Sequence, residues 1–142
     1  MKALYTIALT VGLLLTTAAA NAQAVTMRAH VPFDFVVGDQ ALPAGDYLIQ
    51  PALSGSAILT IRSSDGSRSA SAITYAFGGG KPWEKTELVF HHVAQSYILA
   101  QVQVQGFAEG RQLPKNRAEA EAQTQLGQKA DKVVVLAELV NR

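Results

Sequence analysis

Apolar and polar positions alternate with a period of two over most of this chain, the spacing of half-buried strands. Residues 25–31 set Val25, Met27, Ala29 and Val31 against Thr26, Arg28 and His30, and Pro32 then removes an amide donor, favouring an edge, bulge or bend. Next, Phe33, Phe35 and Val37 share a face, Gly38-Asp39 reverses the chain, and Tyr47 and Ile49 resume the alternation after a Leu42-Pro43-Ala44-Gly45-Asp46 corner. Ile58, Leu59 and Ile61 mark a short strand, Asp65-Gly66 a hairpin turn, and residues 68–77 the return strand. Gly78-Gly79-Gly80-Lys81-Pro82-Trp83 breaks the pattern and predicts a mobile or solvent-facing loop.

Residues 86–93 and 97–104 predict a second hairpin joined by Ala94-Gln95-Ser96. Strict alternation there makes Ile98, Ala100, Val102 and Val104 the apolar face, with Tyr97, Leu99, Gln101 and Gln103 opposite. One helix is expected after Leu113-Pro114, capped by Asn116, with Ala118, Ala122, Leu126 and Ala130 as a narrow apolar stripe. Val133-Val134-Val135-Leu136-Ala137 predicts a last strand covered on both faces. Seven or so strands and one late helix make the chain mainly β: an antiparallel β-sandwich or small β-barrel with one C-terminal surface helix.

The N-terminus changes the picture. Lys2, an uncharged apolar run over residues 3–15, and Ala20-Asn21-Ala22 have the three-part form of a secretory signal peptide cleaved before Gln23. The competing reading, an uncleaved membrane anchor, lacks a basic flank after the run. Residues 1–22 are therefore read as a signal peptide and residues 23–142 as a single β-rich domain, exported to the periplasm or beyond the cell. Without Lys2 the domain carries 12 − 1 = 11 basic against 11 acidic side chains, which does not support a nucleic-acid surface. No later run is long enough for a membrane helix, and the absence of cysteine removes disulfides, thiol catalysis and thiolate metal sites.

Two segments together, Val31-Pro32-Phe33-Asp34-Phe35-Val36-Val37-Gly38 with Leu42-Pro43-Ala44-Gly45-Asp46-Tyr47, and Gly110-Arg111-Gln112-Leu113-Pro114-Lys115-Asn116-Arg117, resemble small secreted proteins of acidobacterial type. Asn116 stands where that pattern has a serine, and either residue caps a helix. The resemblance implies an exported Gram-negative protein, and it implies no activity, cofactor or catalytic residue.

Candidate chemistry is sparse. His91 and His92 are neighbours on a strand and point to opposite faces, so they do not readily share one ion; a metal set needs His30, one of them and Asp34 or Glu87 to converge, and surface or strand-packing histidines are the better reading. Gly78-Gly79-Gly80-Lys81 fails as a phosphate loop, having Tyr75 in place of the first glycine and Pro82 in place of the hydroxyl residue. No serine stands in a nucleophile elbow, and a hydrolase requires Glu84, Glu87 and a histidine to converge. Arg111, Lys115 and Arg117, with Lys81 and Lys85, form a basic patch only if Glu109, Glu119 and Glu121 face elsewhere.

The expectation is an exported non-enzymatic β-sheet module with a binding or structural role in the cell envelope, without catalytic, cofactor or metal residues. Trp83 is a candidate contact for an envelope protein or polysaccharide. The alternative is a carrier whose barrel holds a small apolar ligand among Phe33, Phe35, Tyr75, Phe77 and Phe90. Those aromatics separate the two: packed on one another they leave no room, spread around a void they make a ligand site.

Overall fold

The computed structural model describes residues 25–53, 55–127 and 130–140, so the signal peptide expected over residues 1–22 lies outside the described residues. The chain runs β1 (Met27–Val31), β2 (Phe35–Val37), β3 (Gln40–Leu42), β4 (Gly45–Pro51), β5 (Ile58–Ser63), β6 (Ser69–Ile73), β7 (Tyr75–Gly78), β8 (Glu87–Val93), β9 (Ser96–Gln103), β10 (Glu109–Gln112), α1 (Arg117–Leu126) and β11 (Asp131–Leu139). Nine strands follow one another in the order β3-β2-β9-β8-β11-β1-β4-β5-β6, antiparallel except for β2 beside β9. The ends of this path approach each other, with Cα atoms of β6 within 8 Å of β2 and β3. The fold is a nearly closed nine-strand mixed barrel with one short C-terminal helix.

Closure is completed by a fork. One edge of β9 is shared: β2 pairs with Tyr97 and Ile98, while β10 pairs with Gln101 and Val102. On the far side β6 runs through Thr74 into β7, which leaves β5 and pairs with β10. Thr74 is buried at this changeover, and its amide and hydroxyl both donate to the Ala57 carbonyl, at 2.8 and 2.6 Å. One continuous extended segment thus spans from one ladder to the other.

The alternation read from the sequence fills the interior. Met27, Ile49, Ile61 and Ala70 are successive cross-strand neighbours on β1, β4, β5 and β6, and all are buried. Leu88, Phe90, Leu99 and Val102 complete the core from β8 and β9. Removing each larger apolar side chain from water is worth about 1.5–3 kcal/mol.

Three expectations are corrected. In β9, Val89 lies opposite Gln101 but Phe90 lies opposite Leu99, leaving Ala100 as the extra residue of a β-bulge. The bulge reverses the phase, so Leu99 joins Val102 in the core cluster while Ile98 and Ala100, also buried, turn outward. The last strand, expected to be covered on both faces, is covered on one: Val134 and Leu136 are exposed on the outer face of β11. In α1, Ala118 of the expected apolar stripe is exposed while Ala122 is half-buried, and the buried residue is Glu119, whose carboxylate accepts a hydrogen bond from the His91 ring of β8.

The helix start is as read. Asn116 is extended, its Oδ1 accepts from the Glu119 amide at 2.8 Å, and its Nδ2 donates to the Gly38 carbonyl at 3.4 Å. Gly127, with φ of 57°, ends the helix in the left-handed conformation.

Candidate functional site

The two ends of the barrel differ. At the end where β1 finishes and β4 begins, aromatic rings fill the interior. Phe33 meets Phe90 edge-on at 5.1 Å and stacks on Tyr97 at 3.9 Å, and His92 stacks on the other side of Tyr97 at 4.3 Å. Phe35 meets Tyr47 at 5.1 Å and Phe90 at 5.5 Å, both edge-on. These are the separations at which ring quadrupoles attract, and they leave no ligand space among Phe33, Phe35 and Phe90.

A corner seals this end. The Tyr47 hydroxyl donates to the Pro43 carbonyl at 2.5 Å, and Asp34 Oδ1 accepts from the Ala44 amide at 2.9 Å. Burial pushes the Tyr47 phenol above its ordinary value, since phenolate loses its hydration there. In the neighbouring turn, Asp65 Oδ1 accepts from the Ser63 hydroxyl and from the amide and hydroxyl of Ser67. These bonds, Ser63 foremost, hold its carboxyl at about 2.

The other end is open. A cavity of about 370 Å³ lies between the start of β1, the end of β4, the start of β5, the end of β9, and β10. Val25, Met27, Pro51, Leu59, Val102, Val104 and Phe107 make its wall apolar, and Glu109 and Arg111 supply the charge. Its size is at the small end of the range of about 300–1,000 Å³ usual for ligand pockets. Side chains just fill an eight-strand barrel and the diameter grows with strand number, so this nine-strand wall, packed with rings at one end and lined by smaller residues at the other, is a half-filled barrel.

The register explains why an arginine lies there. Arg111 is opposite Val102 on β9 and Ala76 on β7, and cross-strand partners share a face, so Arg111 belongs to the inner face with buried Leu113 two residues on. Among the described residues no carboxylate pairs with Arg111. Sequence reasoning placed Arg111 in a surface patch; the two-residue spacing of Glu109, Arg111 and Leu113 was the signal that could have turned it inward.

The remaining candidates are dispersed. Tyr75 is exposed, and Phe77 packs on Trp83 at 5.8 Å outside the core cluster. The loop expected to be mobile or solvent-facing is exposed over residues 78–82, and its end is anchored by the Trp83 amide donating to the Phe107 carbonyl and by a bridge from Trp83 to Gln105. The Trp83 indole nitrogen is buried with no acceptor among the described residues. Glu84 and Glu87 share an open groove of about 460 Å³ with Lys81, Lys85 and Gln103, and no histidine lines it. His30 is 2.8 Å from Asp46, while His91 reaches Glu119. The basic residues do not form one patch: Arg117 bonds Glu121, Lys115 bonds Gln123, and Arg111 faces the cavity.

The fold and cavity define a class, a small β-barrel with one apolar open end. Comparison with known proteins adds no relative: no family model matches the chain, and neither does any curated protein or solved structure.

Proposed function

We propose that this protein is an exported, non-enzymatic binding barrel that takes the apolar part of a small ligand into its open end. The observation that carries the reading is the apolar cavity of about 370 Å³ at one end of a barrel whose other end is packed with aromatic rings. An apolar concavity that a ligand fills gains roughly 25 cal/mol for each Å² removed from water. Export is supported by Lys2, the apolar run after it and the Ala20-Asn21-Ala22 cleavage pattern, and separately by the resemblance of residues 31–47 and 110–117 to small secreted proteins. A binding role without catalysis is favoured because Glu84 and Glu87 lie in a groove without a histidine, and neither of them lines the cavity.

The test is native mass spectrometry on protein collected from the periplasm or medium of a Gram-negative host expressing the full chain. The expected result is a chain beginning at Gln23 that carries an extra mass of roughly a few hundred daltons, lost on denaturation. A bare polypeptide, or a defined oligomer without added mass, overturns the carrier reading and directs attention to protein partners. An intact residue 1–22 segment overturns export with cleavage.

A further inference from the structure

We propose that the cavity selects a single-chain amphiphile with a monoanionic carboxylate head, and that Arg111 is the residue that recognises it. This rests on the binding-barrel reading and names the ligand class for the same cavity. The argument starts from the inner face of β10. Arg111 shares a face with Val102 and Ala76, and its cavity neighbours include Met27, Leu59 and Val104. A guanidinium so placed has its methylene stem against apolar wall and its charged fork at the boundary between wall and solvent. Among the described residues no aspartate or glutamate lies within ion-pair distance of it.

A charge beside an apolar wall attracts a counter-ion more strongly than one in open water, because less solvent screens the pair. Guanidinium presents two parallel donors that match a carboxylate, so head-group recognition is geometric as well as electrostatic. The apolar wall takes the tail. One cation suits one negative charge, whereas a dianionic head leaves an unmatched charge facing Glu109, on the same strand two residues away. Glu109 is exposed and solvated, so its repulsion of an anion is screened and smaller than the attraction of Arg111. It also disfavours a head group of higher negative charge. The ligand class that satisfies wall, cation and rim together is an alkyl carboxylate.

Head-group chemistry is separated from tail burial by probes of equal chain length. The purified protein is titrated calorimetrically with decanoate, decanol, decyl phosphate and decyltrimethylammonium, each below its micelle concentration. Charge-assisted hydrogen bonds predict that decanoate binds about tenfold or more tightly than decanol, with decyltrimethylammonium weakest and decyl phosphate no better than decanoate. Arg111→Met should erase the advantage of decanoate while leaving decanol within about twofold. Glu109→Gln should strengthen decanoate and leave decanol unchanged, which tests the charge argument even where the Arg111 substitution disturbs the fold.

Equal binding of decanoate and decanol to the wild type overturns the head-group assignment and leaves the binding barrel standing. A decanoate preference that survives Arg111→Met in a folded protein also overturns it. Failure of all four probes to bind the folded wild type overturns both the assignment and the cavity reading.

Discussion

Replacing Gly110 by alanine sets two physical effects against each other, and the structure decides the sign. Glycine within a strand costs about 0.5–1 kcal/mol relative to alanine, because its unfolded backbone has more freedom to lose. On propensity alone Gly110→Ala stabilises. The packing opposes this: a Cβ at position 110 falls 2.6 and 2.9 Å from Cε1 and Cζ of Phe77 and 3.0 Å from the Val102 carbonyl oxygen. Carbon atoms prefer about 3.5–4.0 Å, so the ring must move by roughly 1 Å. Phe77 is packed against Trp83, and the Val102 oxygen belongs to the neighbouring backbone of β9. Overpacking costs about 1–3 kcal/mol, and with two contacts below 3 Å and a backbone oxygen as the third neighbour the upper part of that range, about 2–3 kcal/mol, applies, leaving a net loss of roughly 1–2.5 kcal/mol.

The assay is urea denaturation, with thermal melting as a check. At roughly 4 °C for each kcal/mol in a domain of this size, the variant should melt roughly 4–10 °C lower. The double variant with Phe77→Leu should be less destabilised than the sum of the single changes by at least about 0.5 kcal/mol, because the smaller side chain makes room. Gly80→Ala is the control, since nothing lies within 4 Å of a Cβ there. A Gly110→Ala protein as stable as the wild type, or more so, refutes the reasoning, and strict additivity with Phe77→Leu refutes the contact.

His91→Ala should destabilise the protein by about 1–3 kcal/mol in urea denaturation, because buried Glu119 loses its side-chain partner, and helical circular dichroism should fall earlier than the barrel signal. Tyr47→Phe should cost about 0.5–1.5 kcal/mol at neutral pH through the lost bond to Pro43. Because the folded Tyr47 phenol titrates above its unfolded value, its contribution is fully present below pH 10 and is lost as pH rises through the folded value. Stability curves of wild type and Tyr47→Phe should therefore converge at alkaline pH. Asp65 has the opposite sign: depressed to about 2, its carboxylate stabilises the fold above its ordinary value of 3.8 and loses that contribution as pH falls through about 2. Acid denaturation of Asp65→Asn should lack this limb, and an unchanged acid profile would count against the Ser63 and Ser67 bonds.

Local signals were legible in the chain, and long-range ones were not. Alternation located most of the strands, and Asn116 announced the helix start, because each depends on neighbours a few residues away. The bulge at Ala100 escaped because nothing in Ile98-Leu99-Ala100-Gln101-Val102 marks an extra residue; only the opposing strand reveals it. β10 escaped because Glu109-Gly110-Arg111-Gln112 has little strand propensity and is held by partners, β7 and β9, on both sides. The cavity is further from view still, since its wall draws on five separate strands. The aromatics chosen as a possible ligand lining are conspicuous in the sequence, yet Phe33, Phe35 and Phe90 attract one another and close their end of the barrel.

The place of β11 between β1 and β8 has a kinetic consequence. Met27 waits for Leu139 and Leu88 waits for Val135, so the seam joining the two halves of the wall closes only when the late segment 131–139 arrives. Until then β1 and β8 each offer a row of unpaired amides and carbonyls, the condition under which strands recruit foreign chains. Loop-closure entropy rises only slowly with span, so the delay reflects order of arrival more than distance. The vulnerable species during biogenesis is therefore an open, curled sheet awaiting its keystone, and a factor that shields those two edges would protect the nascent protein better than one that binds the finished barrel.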